Sequence, residues 1–428
     1  MRLILFFSAL MIFAMSCATD TCTEKRTYVR YDRVYVTPDE YRLATANFEE
    51  PREMEEPGKI YFYNDLILIN EIRKGIHWID NTDPNNPIPL GFLPIPGNHD
   101  MAIQNDILYA DGYTDLVLID ISNYNDPRLL DRREDIFQSH YFSNSNGISS
   151  HLVPTEVTET IDCSEPNWGQ SWFGRDDAVF FESTSSWSIA NGAIGSGPSG
   201  GPQPNQTGQG GSMARFTITK NHLYAVGSAE IFSLPISADG SVGAVTTTGL
   251  PWGIETIFPY KDLLFLGASN GMHIMSLDDP GQPQHESTFS HANACDPVVV
   301  QDDIAYVTLR GGTTCGGFDN QLDVLDVSDI HNPRLLHTYS MDNPHGLAVL
   351  ENLLFICEGE HGLKVFDVDD ISTIDQNRYS HLKGFHAYDA IALRGKSLLV
   401  IGDDGFRQYD FSDPAQMKLM SHIYVNRP

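Results

Sequence analysis

The chain has 428 residues, 57 of them acidic and 27 basic, for a net charge of −30 at neutral pH. A surface of that sign repels phosphate backbones and argues against nucleic acid as a ligand. Beyond the N-terminal stretch no segment approaches the roughly 20 apolar residues that a membrane-spanning helix needs.

At the N-terminus Arg2 precedes an apolar run from Leu3 to Phe13, followed by Ala14-Met15-Ser16-Cys17. That layout predicts a secretory signal over residues 1–16. A cysteine directly after the cleavage site predicts a lipoprotein, with Cys17 acylated and the chain held at a membrane surface by its lipid. The alternative is an ordinary signal cut nearby, leaving Cys17 or Cys22 for a disulfide. Residues 17–56 read as an anchor and linker segment. Ala18-Thr19 lacks an aspartate directly after the cysteine, which favours the outer membrane, facing either the periplasm or the exterior.

From residue 57 onward the chain repeats. One unit reads Asn105-Asp-Ile-Leu-Tyr-Ala-Asp-Gly112, then Leu116-Val-Leu-Ile-Asp-Ile-Ser-Asn123, then Pro127. Aligned on the residue that closes the third strand, the units fall at Asp80, Asp120, Pro235, Ser276, Asp326, Asp367 and Asp410, with steps of 40, 115, 41, 50, 41 and 43. Five of the six steps match the period of a four-stranded propeller blade. Near-continuous apolar third strands suit sheets buried on both faces. Asp-x-Ser followed by Pro, as at Asp120 to Pro127 and Asp326 to Pro333, then ends the strand, because Asx and Ser side chains bond the local backbone and Pro cannot continue a central ladder. The prediction is an all-β, seven-bladed β-propeller of four-stranded blades over residues 57–428.

The long step places an insertion at residues 131–212, between blades two and three, on the loop face. Its Gly/Ser/Pro/Gln-rich part, Gly195 to Gly211, reads as loop. Trp168, Trp172, Phe173 and Trp187 suggest a small core of its own. Export permits disulfides; Cys295 and Cys315 fall within one repeat unit and are the best pair. Cys357 lies in an apolar strand and reads as a buried thiol.

Several stretches resemble the LVIVD-repeat β-propeller lipoproteins of Gram-negative bacteria. These are Leu116-Val-Leu-Ile-Asp120, Gly211-Ser-Met-Ala-Arg-Phe-Thr-Ile218, Cys295-Asp-Pro-Val-Val299, Tyr306-Val-Thr-Leu-Arg310 and Asn343-Pro-His-Gly-Leu347. The resemblance spans essentially the whole chain from Cys17. It departs at Pro235 and Ser276, where the motif aspartate is missing. It implies the fold and surface anchoring, and it supplies no catalytic residues.

Blade topology puts the start of each innermost strand on the same side of the disc as the loops between second and third strands. This is the working face, since binding residues concentrate on loops carried by a rigid scaffold. The residues that open the innermost strands are Gly58, His99, Ala214, Glu255, Asp296, His345 and Asp389, with Asp100, Arg215 and His386 beside them. His99, Glu255, Asp296, His345 and Asp389 are thus candidates for a ligand or metal site at the central channel. Carboxylates suit Ca²⁺ or Mg²⁺ and imidazoles suit Zn²⁺. Polar side chains that merely solvate a wet channel are the plainer reading. Gly359-Glu-His-Gly362 and Gly402-Asp-Asp-Gly405 are hairpin tips. No nucleophile elbow, zinc-protease helix or phosphate-binding loop occurs. The expected function is a non-enzymatic envelope module binding a protein partner or glycan. The alternative is a metal-dependent hydrolase or lyase, with Glu255, Asp296 or Asp389 as ligand or base and His99 or His345 as ligand or acid.

Overall fold

A computed structural model of the chain describes residues 23–43, 47–137, 149–162, 207–251, 253–291, 297–311 and 320–426. Seven antiparallel sheets follow one another along the chain, each containing four consecutive blade strands. Blade 1 is Pro57–Tyr63, Leu66–Glu71, Gly75–Asp80 and Ile88–Pro94. Blade 2 is Met101–Gln104, Ile107–Gly112, Asp115–Asp120 and Arg128–Arg133, and blade 3 begins at Phe216. The innermost strands of blades 4 to 7 are Ile254–Tyr260, Val298–Gln301, Leu347–Leu350 and Asp389–Ala392. The seven-bladed propeller read from the repeat is therefore the observed fold. A separate two-stranded sheet pairs Thr23–Val36 with Ser149–Asp162.

Burial follows strand order. In blade 2 every residue of Ile107–Gly112 is buried, whereas Arg128–Arg133 is exposed or half-exposed throughout. The apolar second and third strands pack blade on blade, and the fourth forms the wet rim.

The motif aspartates act at the turn that follows each third strand. Asp80, Asp120, Asp326, Asp367 and Asp410 each accept the backbone N–H two residues on, at 2.8–3.0 Å. Ser276 does the same with its hydroxyl, accepting from Asp278 at 3.2 Å, so its departure from the motif leaves the turn intact. Pro235 does not. In six blades the pairing of third and fourth strands slips by one residue just before this anchor. Blade 3 pairs without that slip.

All four strands of blade 1 come from one end of the propeller sequence and all four of blade 7 from the other. Closure of the ring therefore rests on other contacts. Outside, Met54 bridges to Val425 in parallel, and the Asn426 N–H donates to the Met54 carbonyl at 3.0 Å. Met54, Ile60, Ile69, Leu399, Ile401 and Phe406 share one apolar cluster. Between the two blades Asn81 and Gln408 exchange buried amide hydrogen bonds of 3.0 and 2.6 Å.

Residues upstream of blade 1 also dock on the propeller. Thr37 opens a short helix, Pro38–Leu43, and Glu40 reaches back to its N–H at 2.7 Å, as in a capping box. Buried Tyr41 meets the Thr114 hydroxyl at 2.9 Å. Arg42 makes a two-pronged contact with the buried Asp115, at 2.8 Å for each prong.

Candidate functional site

The insertion leaves blade 2 on the working face, where the Asp135 N–H donates to Asp115 at 3.0 Å. Its return runs inside the ring. Thr207 bridges to Gln104, at the far end of the blade 2 innermost strand. Gln209 and Gly210 then pair antiparallel with Phe62 and Tyr61, adding a fifth, inner strand to blade 1. Ser212 next reaches the beginnings of blades 6 and 7: its N–H and hydroxyl donate to Asp389 Oδ1 at 3.1 and 3.0 Å, and the Leu347 N–H donates to its hydroxyl at 2.6 Å. Residues 207–213 thus climb the channel from one face to the other. Sequence reading put this segment in a loop. Glycine makes the channel path possible: a Cβ on Gly208 would lie 2.2 Å from the Tyr61 ring, and one on Gly211 would lie 2.2 Å from Asp389.

The candidate side chains then take their places around the working-face mouth. His99 is held by its own loop, Nδ1 lying 2.8 Å from the Gly97 carbonyl and 3.6 Å from Asp111. Asp100 binds three blades together. Its Oδ2 accepts from Lys59 at 2.6 Å and from the Arg215 and Phe216 N–H groups at 2.6 and 3.0 Å. Glu255 is partly exposed, and desolvation pushes its carboxyl up to about 7 against the pull of Arg215 and Arg310. His345 is buried, and desolvation followed by the charge of Arg310 keeps its imidazole neutral, well below the usual range. Arg310 Nη1 lies 2.9 Å from His345 Nδ1 and 3.1 Å from Nε2. His386 and Tyr388 stand beside them, with ring centroids 5.8 and 5.6 Å from that of His345.

Asp389 is buried at the head of blade 7. Besides Ser212, its Oδ1 accepts from the Ala390 N–H at 3.0 Å, while Oδ2 has no hydrogen-bond partner. Burial pushes this carboxyl up to about 7. Asp296 lies outside the described residues, as do Cys17, Cys22, Cys163, Cys295 and Cys315. Cys357 is a buried free thiol, as its apolar strand suggested. Among the described residues no three His, Cys, Asp or Glu side chains gather as metal ligands. His99 is held by its own loop, Asp389 takes the returning Ser212, and His345 lies against the Arg310 cation.

Lys59, Arg310 and Ser212 escaped the sequence reading. The repeat alignment singled out first-strand openings, and Arg310 instead follows the end of a second strand, Ile304–Leu309. Its one signal was a charged residue closing the apolar Tyr306–Leu309 run.

Fold and site together define a seven-bladed β-propeller with a strand-filled channel and a polar axial mouth. The family profile described as LVIVD repeat matches residues 99–133 and 294–341, so the propeller carries LVIVD repeats in those two stretches. No curated protein matches its sequence. Among solved structures, a protein from Lactobacillus plantarum aligns at 12% identity over 87% of this chain and 97% of its own, with a TM-score of 0.52. The computationally designed Ika8 protein aligns at 10% identity over 89% and 92%, with a TM-score of 0.50. These likenesses concern the fold alone.

Proposed function

We propose that this chain is a non-enzymatic envelope module, held at the outer membrane by lipid on Cys17, whose working face binds a partner protein or glycan at the axial mouth. The filled channel carries this reading. With residues 207–213 running through the ring, the mouth has a floor and is a basin instead of a passage. Around that basin the side chains mostly fix one another and the backbone, which suits a preformed recognition surface. Asp100 joins three blades, Asp389 holds the returning strand, and His99 is pinned by its own loop. The test is photo-crosslinking in intact cell envelope. A crosslinker at the exposed working-face residue Glu360 is expected to give a discrete adduct, and one at Asn125, an exposed turn on the opposite face, none. Equal adducts from both faces, or none from Glu360, would remove the proposal.

A further inference from the structure

Among the described residues, the mouth contains a buried cation with no counter-ion in contact. Arg310 is only 8% exposed, yet Nη1 meets a neutral imidazole and Glu255 acts on it only as a longer-range charge. Elsewhere the buried cations are paired: Lys59 with Asp100, and Lys364 with Glu358. A buried charge without a partner is costly, and the planar guanidinium fork matches a carboxylate two-pronged. The ligand contact that would compensate Arg310 is therefore an oxyanion.

The surroundings narrow the class. His386 and Tyr388 are partly exposed, with ring centroids 4.4 Å apart, and flank His345 on the blade 7 side. His386 Nδ1 is buried without a hydrogen-bond partner, a second polar atom left unsatisfied at this corner. The Asn343 amide, 3.3 Å from His345 Nε2, adds a group suited to hydroxyls. One guanidinium beside neutral imidazoles fits a single carboxylate better than a dianionic phosphate. Ring faces beside it suit a flat, amphipathic body.

We infer that this corner binds a sugar bearing a carboxylate, a hexuronate unit, with its carboxylate on Arg310 and its ring against Tyr388 and His386. This rests on the axial mouth being the recognition site. The experiment is calorimetric titration of the whole chain with a galacturonate trisaccharide, a neutral galactose trisaccharide, inorganic phosphate and an aspartate-rich peptide. Binding of the uronate alone is expected, weakened at least tenfold by Arg310→Gln. Because Arg310 is buried, Tyr388→Ala serves as the second variant, and it too is expected to weaken uronate binding with the melting temperature retained. Phosphate, peptide or neutral sugar binding as tightly as uronate would overturn the assignment, as would unchanged uronate affinity in Tyr388→Ala. Absent uronate binding with the Glu360 adduct intact would overturn the sugar class alone and leave the working-face reading standing.

Discussion

Asp389 illustrates how one side chain serves structure at an electrostatic cost. One oxygen takes three hydrogen bonds while the other takes none, so the ionised form is poorly solvated. Lys59 is the only cation among the main influences on it, and Cys357 lies close enough to feel its charge. A carboxyl held near 7 in the fold, against about 3.8 when free, keeps its proton while the unfolded chain has lost it. Its contribution to stability is therefore fullest below about pH 4, declines to about pH 7 and is level above that. The motif aspartates of the blade turns run the other way, since Asp326 is drawn down to about 2 by Ser328 and Arg334. The contrast with a variant isolates the effect. Asp389→Asn retains the acceptor for Ser212, and its melting temperature relative to the parent is expected to rise between pH 4.5 and pH 8. A difference that stays flat across that range would show that Asp389 does not titrate there.

At the scale of elements, the ring is held from inside and outside. The outer strap brings Met54 to Val425, and the inner strand ties blade 1 to blades 2, 6 and 7. The inner strand leaves no room for side chains at two of its glycines. Gly211→Ala would drive a methyl group into the Asp389 carboxyl, which its three hydrogen bonds hold in place. Overpacking of this kind is expected to cost about 1–3 kcal/mol. Chemical denaturation measures it, and a loss within error of zero would mean that the strand moves freely in the channel. The blades themselves were legible in sequence because each carries a local signal: an apolar third strand, then an aspartate that binds its own turn. The inner strand was not. Gly208 to Ser212 has no periodicity, and its partners Tyr61 and Asp389 lie far away along the chain in opposite directions.

For the whole molecule, repetition showed the architecture and hid part of the site. Lining up equivalent positions singled out His345, Glu255 and Asp389; of these, His345 meets Arg310 and Asp389 meets Ser212. It could not reveal that Arg310, from a different strand position in blade 5, would lie against His345 of blade 6. Such pairings depend on how neighbouring blades face each other, which one repeat does not encode. The acidic surface adds a consequence for location. On the proposed lipid anchor, a chain of net charge −30 would gain little from anionic headgroups, so attachment would depend on the lipid at Cys17. Cys17→Ser is expected to move the protein from the membrane to the soluble fraction on cell fractionation, and an unchanged distribution would refute the anchor.

The channel strand also dictates a timetable for assembly. It leaves the ribosome midway through synthesis, after blades 1 and 2 and before the other five. Its grips on Leu347 and Asp389 belong to the last two blades made. The early blades therefore wait, edges open, until translation is nearly finished. A message broken before blade 7 would yield a product lacking both the Asp389 hold and the Val425 bridge, a natural substrate for proteases.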